Sequence, residues 1–215
     1  DGYLRQAVNA FAEVVRNYPL SYYGLLSIHR IGVLDPEMAT SLVAELRAEN
    51  TIQEAELGLR VEPGEIIDSA PFRRGTLLLR LGLLDLAQKQ FDALTAAYPH
   101  QESVLWLVTY LFDRAGAYHL SHNIPRRQIE SFTTSFPNRE TREQWHLAYP
   151  TPFNDLVLEA AAERDLDPWL IYAIMREESG FNPRVESWAN ARGLMQLMMP
   201  TAEDMAERVG RRRGR

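Results

Sequence analysis

Apolar residues recur at spacings of three and four along almost the whole chain, while runs alternating apolar with polar residues are scarce. That periodicity predicts an all-α protein. An internal echo adds organisation to it. Ala7, Phe11, Val14, Tyr18 and Pro19 match Ala87, Phe91, Leu94, Tyr98 and Pro99, each pair 80 positions apart. The shared pattern is a small residue where a neighbour packs closely, an aromatic one turn on, and a Tyr-Pro stop. A second helix is expected after each copy, Ser21–Ile31 and Glu102–Arg114. Paired helices of this kind stack over a shared core and build α-superhelices.

Further helices are expected at Pro36–Glu49, behind an Asp35-Pro36 start, and at Thr51–Leu59, ended by Glu62-Pro63-Gly64. Another, Phe72–Leu81, precedes Gly82. The segment 138–152 is richer in turn formers and holds two X-Pro steps, Tyr149-Pro150 and Thr151-Pro152. A domain boundary is therefore expected near residue 150, separating a tetratricopeptide-like helical array (1–150) from a second unit (151–215). Arg211-Arg212-Arg213-Gly214-Arg215 reads as a frayed or non-native cationic end rather than a nucleic-acid patch.

A formal charge of −6 argues against a nucleic-acid binder, because phosphate neutralisation needs a basic surface. It does not favour electrostatic capture of an anionic polymer either. A polysaccharide would have to be held by hydrogen bonds and stacking. Four Trp and nine Tyr can supply platforms, although most are expected in the core. The absence of cysteine removes disulfides, thiolate catalysis and cysteine metal sites, and fits cytoplasm or periplasm alike. No window of about 18 apolar residues suggests a membrane span. The chain opens at Asp1 almost directly into a helical pattern, without a charged-then-apolar leader, as a mature or truncated product would.

The richest chemistry lies at Arg176-Glu177-Glu178-Ser179-Gly180-Phe181-Asn182-Pro183 and at Gly193-Leu194-Met195-Gln196-Leu197-Met198. Asp167-Pro168 is a helix start, Gly180 a stop, and Pro183 blocks continuation, so a helix is expected from about 168 to 179. Ile171, Ile174, Met175 and Glu178 then share one face. On that reading Glu178 lies in line with the core-facing stripe and Glu177 at its edge. Partial desolvation and the negative helix end would both hold the Glu178 carboxyl protonated, as a general acid requires. The alternative is a helix-end acid paired with Arg176 or Arg184.

These two segments resemble the catalytic-glutamate motif and the GLMQ motif of the soluble lytic murein transglycosylases. Tyr18-Pro19-Leu20-Ser21-Tyr22-Tyr23-Gly24 and Ala148-Tyr149-Pro150 are similar to the linker segments of the same family, and the chain from Phe153 onward to the start of its lysozyme-like domain. The implied architecture is a helical superhelix followed by the first part of a lysozyme-like α domain. The implied activity is cleavage of the MurNAc-GlcNAc β-1,4 bond of peptidoglycan with formation of 1,6-anhydromuramic ends. Glu178 would be the single acid/base. Ser187 would hydrogen-bond the sugar or help orient Glu178, or else merely cap a turn, Met195 would wall the cleft, and Gln196 would read the ligand. Ser179 and Phe181 would be structural. No cofactor or metal is implied. Glycan strands are the implied substrate, the periplasm the implied location, and cell-wall enzymes are partners the helical repeats could take.

Other features agree with one carboxylate. Ordinary glycosidases need two, roughly 5–10 Å apart, and Glu186, Glu203 and Asp204 read as solvated surface acids. His29, His100, His119, His122 and His146 are scattered without HExxH, and no phosphate loop or nucleophile elbow occurs. The chain departs from the family pattern at Asn190, where glycine is usual, and at Met199-Pro200, where proline comes one position late. It also ends soon after Glu178, before the family's tyrosine-bearing motif. That predicts an incomplete cleft and little turnover from these 215 residues alone. Two rival readings are a non-catalytic helical scaffold and a hydrolytic muramidase of similar shape.

Overall fold

The computed structural model describes residues 2–49, 64–99, 101–129, 131–133, 136–137 and 141–213. Among these the chain runs α1 (Gly2–Asn17), α2 (Tyr22–Leu34), α3 (Pro36–Glu49), α4 (Gly64–Asp68), α5 (Ala70–Arg80), α6 (Leu84–Ala97), α7 (Glu102–Arg114), α8 (Tyr118–Gln128), α9 (Arg142–Ala148), α10 (Asn154–Arg164), α11 (Pro168–Ser179) and α12 (Met199–Arg213). A short 3-10 turn, Ser131–Thr133, lies between α8 and α9. Among the described residues there is no strand, only isolated bridges joining Glu186 to Arg192 and Arg192 to Leu197. The protein is all-α. The helix expected at Thr51–Leu59 lies outside the described residues. No helix among the described residues is long and apolar enough to cross a membrane.

Short-range chemistry sets many helix ends. The Ser21 hydroxyl accepts from Gly24 N–H (2.9 Å) and the Asp35 carboxylate from Met38 N–H (3.0 Å), so α2 and α3 start where the capping residues stand. Ser69 does the same for α5, accepting from Phe72 N–H at 3.3 Å. The expected span Glu102–Arg114 is α7 as it stands. A helix also appears where turn formers had suggested loop. α9 owes its place to packing: Leu147 and Ala148 are buried with Trp106, Ile129 and Phe132, against which Trp145 also leans.

Neighbouring helices pair as α1–α2, α2–α3, α5–α6 and α7–α8, and α10 packs on α11. Two glycines permit the closest approaches. A Cβ on Gly24 would run into the Tyr18 carbonyl oxygen, and one on Gly75 would sit 2.6 Å from the Phe91 ring. Phe91 is thereby enclosed, edge-on to Phe112, in a core with Ala87, Leu94, Val104 and Val108. Burying one such ring is worth about 1.5–3 kcal/mol.

The echo is preserved as helix and stop but not in register. The second copy buries Ala87, Phe91 and Leu94, as its spacing predicts. The first buries Val8, Ala12 and Val15, one residue further on, and leaves Phe11 and Val14 half-buried. The reason is the partner. α6 lies chiefly along α5, which precedes it, whereas α1 lies along α2, which follows. One residue is a rotation of about 100°, enough to turn a different stripe inward. The expectation that most Trp and Tyr rings are core also fails. Tyr3, Tyr18, Tyr22, Tyr23, Tyr110 and Tyr149 are exposed, as are Trp169 and Trp188, the last almost entirely.

Candidate active site

α11 begins as its sequence dictates: the Asp167 carboxylate accepts from Trp169 N–H at 2.9 Å, with Pro168 at the first helical position. It ends at Gly180, whose left-handed backbone (φ 55°) lets Gly180 N–H and Phe181 N–H return to the carbonyls of Arg176 and Met175. Ser179 ties this end as expected. Its hydroxyl donates to Met175 O (2.9 Å) and accepts from Phe181 N–H (3.1 Å). Phe181 is buried with Val157, Tyr172 and Met175 in the core between α10 and α11. The Tyr172 hydroxyl donates to Asn154 Oδ1 at 3.2 Å, joining the two helices at one end.

The inward stripe of α11 is Tyr172, Met175 and half-buried Ser179. Glu178 is exposed. This corrects the expectation of a carboxyl on the core-facing stripe: Met175 alone of Ile174, Met175 and Glu178 turns inward, and Ile171 is half-buried. Spacing defined a face but not the core it meets, and α10 approaches from the Tyr172 side. Glu178 instead closes an outward apolar stripe with Leu170 and Ile174, which are 52% and 38% exposed. Neither arginine proposed as its partner is bound to it. The Arg176 guanidinium lies 4.3 Å over the Tyr149 ring, and it is Glu177 that forms an ion pair, with Arg126 at 2.7 Å.

The second motif folds into a small knot spanning residues 182–197. Arg192 and Leu197 exchange two backbone hydrogen bonds (3.1 and 3.2 Å), and Gly193 N–H donates to Val185 O at 3.0 Å. Gln196 ties it: its amide nitrogen donates to Val185 O (3.2 Å) and Gly193 O (3.0 Å), and its backbone is left-handed at φ 45°. Ser187 takes the turn-capping role left open above, with its hydroxyl accepting from Ala191 N–H at 3.0 Å. Asn190, in place of the usual glycine, is left-handed at φ 63° without difficulty, as an asparagine can be. Leu194 anchors the knot on the α10–α11 core, while Met195, Leu197 and Met198 remain exposed.

Glu178, Ser187, Met195 and Gln196 are thus built on two adjoining supports, the last turn of α11 and the knot that follows it. Among the described residues no hydrogen bond joins Glu178 to the other three. Glu186 and Asp204 are engaged by Arg192 (3.0 Å) and Arg208 (2.8 Å), as surface acids. The late proline at position 200 falls in the first turn of α12. Among the described residues no cluster of three or more His, Asp or Glu is placed to hold a metal ion.

Sequence reasoning missed the surroundings of this turn. His122, on α8, is fully buried against Phe181, with ring centroids 5.4 Å apart. Its Nδ1 lies 3.3 Å from Ala148 O, and because a carbonyl only accepts, Nδ1 carries the proton. Nε2 is buried without a hydrogen-bond partner among the described residues. Burial pushes the imidazole down to about 4. The bond to Ala148 raises it, the charges of Arg176 and Arg126 lower it further, and Glu177 opposes them. A shallow cleft of about 150 Å³ opens beside this junction, lined by Tyr149, Trp169, Tyr172 and Arg176 among others.

Residues 155–215 match the family described as the transglycosylase SLT domain. A soluble lytic murein transglycosylase of Salmonella typhimurium is 41% identical over 54 residues, which is 25% of this chain and 8% of that protein. A transglycosylase of the phage PRD1 is 46% identical over 46 residues, 21% of this chain and 17% of its own length. Two solved structures share the fold at low identity. One is an inactive mutant of lytic transglycosylase Slt from Pseudomonas aeruginosa: TM-score 0.59, 20% identity, 88% of this chain and 31% of that one. The other is the 70 kDa soluble lytic transglycosylase of Escherichia coli: TM-score 0.53, 18% identity, 93% and 30%. The chain therefore spans about a third of these solved proteins.

Proposed function

From a chain whose residues 155–215 match the transglycosylase SLT domain, we propose a peptidoglycan lytic transglycosylase in which Glu178 is the acid and then the base. Glu178 protonates the oxygen joining N-acetylmuramic acid to N-acetylglucosamine, and the glycosidic bond breaks. The resulting carboxylate removes the proton from the C6 hydroxyl of the same muramic residue, whose oxygen closes on C1. The products are a 1,6-anhydromuramic end and a free 4-hydroxyl. No water is consumed, and one carboxylate suffices.

The observation that carries this reading is the position of Glu178. It sits at the end of the outward Leu170–Ile174 stripe, on a turn held by Ser179 and Gly180, beside the knot that presents Met195 and Gln196. Glu178 is exposed, so the desolvation a general acid needs must come with substrate. A sugar ring laid over Leu170 and Ile174 removes water from Glu178 and supplies that desolvation. The Gln196 amide nitrogen is held in its loop, which leaves the carbonyl oxygen to accept from a sugar hydroxyl or N-acetyl N–H. Met195, 36% exposed, offers an apolar wall. Ser187, which accepts from Ala191 N–H in its turn, keeps its hydroxyl proton and one lone pair for a ligand.

The same proposal puts a unit boundary near residue 150, where the chain passes from α9 through two prolines to a left-handed Phe153. Action on murein implies the periplasm, with the helical array a surface for cell-wall partners. The test is incubation of the full-length protein, and of its Glu178→Gln variant, with murein sacculi, followed by mass spectrometry. Anhydro-muropeptides from the wild type and none from the variant support the reading. Reducing ends would mean hydrolysis, and no glycan product would leave a binding scaffold.

A further inference from the structure

The last turn of α11 is where a helix is least constrained, since its carbonyls lack intrahelical partners and its ends open first. In this protein that turn is gripped from outside. Arg126 of α8 holds Glu177 at 2.7 Å, and Tyr149, just after α9, carries the Arg176 guanidinium on its face at 4.3 Å. His122 of α8 meets Phe181 edge-on at 5.4 Å, and its Cδ2 lies 3.8 Å from where a side chain on Gly180 would begin. Tyr149 is itself backed by Trp145, stacked at 5.3 Å and 15°. His122 is tied to the end of α9 through Ala148 O.

The gripped positions are 176, 177, 180 and 181. At 100° per residue, Arg176 and Gly180 project on the side of the turn opposite Glu178. The contacts therefore fix the backbone of the turn and leave the carboxyl side open. We infer that Arg126, His122 and Tyr149 are positioning residues, through which the helices before residue 150 hold Glu178 in its working orientation. This rests on Glu178 being the acid proposed above. It gives the helical array a part in catalysis: without α8 and α9, the turn bearing the carboxyl would lose its outer support. A positioned acid contributes through orientation, and small displacements of it cost rate rather than affinity.

The experiment compares wild type with Arg126→Ala, Tyr149→Ala and both together, and with Arg126→Lys and Tyr149→Phe, which keep the charge and the ring. Residue-resolved amide exchange is read at Ser179, Gly180 and Phe181, with α1–α3 as internal reference. The rate and KM of glycan-strand cleavage are read on solubilised murein. Each alanine variant is expected to speed exchange at these amides about threefold, and the pair about tenfold, with α1–α3 unchanged. The turnover rate should fall in the same order at constant KM, and Lys and Phe should restore it in part. Unaltered exchange in both single variants overturns the inference, as does a loosened turn with undiminished turnover. Should the full-length wild type cleave no glycan at all, the catalytic reading of Glu178 fails and the inference built on it falls too. The exchange data would still report whether the junction braces the turn.

Discussion

Acid should weaken this fold, and His122 is the group through which most of the effect is read. His122 is neutral in the folded chain, with Nδ1–H donated to Ala148 O and Nε2 facing an interior that offers it no acceptor. Protonation would place an unpartnered N–H⁺ there, beside the guanidinium groups of Arg126 and Arg176. The folded chain therefore refuses the proton until about pH 4, whereas the unfolded chain takes it up near 6.5. Stability attributable to this group is whole above 6.5, declines as pH drops through the window, and is fully lost below about 4. At 1.36 kcal/mol per unit the loss approaches ~3 kcal/mol, a large share of the ~5–15 kcal/mol of an ordinary domain. Partial desolvation raises Asp92 and Asp113, which act in the opposite sense and stabilise the fold as acid is added, while half-buried His119, lowered by desolvation, acts in the same sense as His122. A control must cancel them, and His122→Leu does so. Removing Nε2 relieves an unsatisfied atom while Ala148 O loses its donor, so the two changes should offset to within about 1 kcal/mol at pH 7.5. Urea unfolding of both proteins at half-unit steps from pH 7.5 to 4 gives the comparison. The wild type should lose about 2–3 kcal/mol more than the variant over the window. Parallel curves would refute the reasoning and show that His122 accepts its proton in the folded state.

Four further outcomes follow from the same geometry. Glu178→Gln should abolish glycan cleavage yet leave urea stability within about 0.5 kcal/mol, because the side chain is exposed and holds nothing in place. Gly75→Ala forces a methyl to 2.6 Å from the enclosed Phe91 ring and should cost about 1–3 kcal/mol in a urea melt, part of it recovered by adding Phe91→Leu. Asp167→Ala removes the cap of α11 and should cost about 1 kcal/mol by the same measurement, while Asp167→Asn should retain most of it. Gln196→Glu keeps the shape but turns an oxygen toward Val185 O and Gly193 O; limited proteolysis of residues 193–198 should accelerate severalfold, and equal rates would remove Gln196 from its structural role.

Much of the candidate site was legible in order. The Asp167-Pro168 start, the Gly180 stop, the structural duty of Ser179 and Phe181, and the tolerance of Asn190 for a left-handed backbone all appear in the structure as read. Each depends on sterics and hydrogen bonds within four or five residues, so each is written locally. The orientation of Glu178 was not. A spacing of three and four places residues on one face of a helix, but the identity of the inward face is decided by what packs there, and α10 comes to Tyr172 and Met175.

The first copy of the echo makes the same point. Its helix and its Tyr-Pro stop are local, yet its buried stripe is Val8, Ala12 and Val15, because α1 pairs with the helix after it and α6 with the helix before it. The support of the last turn of α11 is still further from sequence: Arg126 and Glu177 lie 51 residues apart and carry no motif that joins them. What the residues determined alone is the helical class, the helix ends, and a glutamate and a glutamine set on two short supports. Which faces meet, which carboxyl turns outward, and which distant side chains brace it came only from tertiary packing. Burial is a property of pairs of surfaces, and the second surface is not in the local sequence.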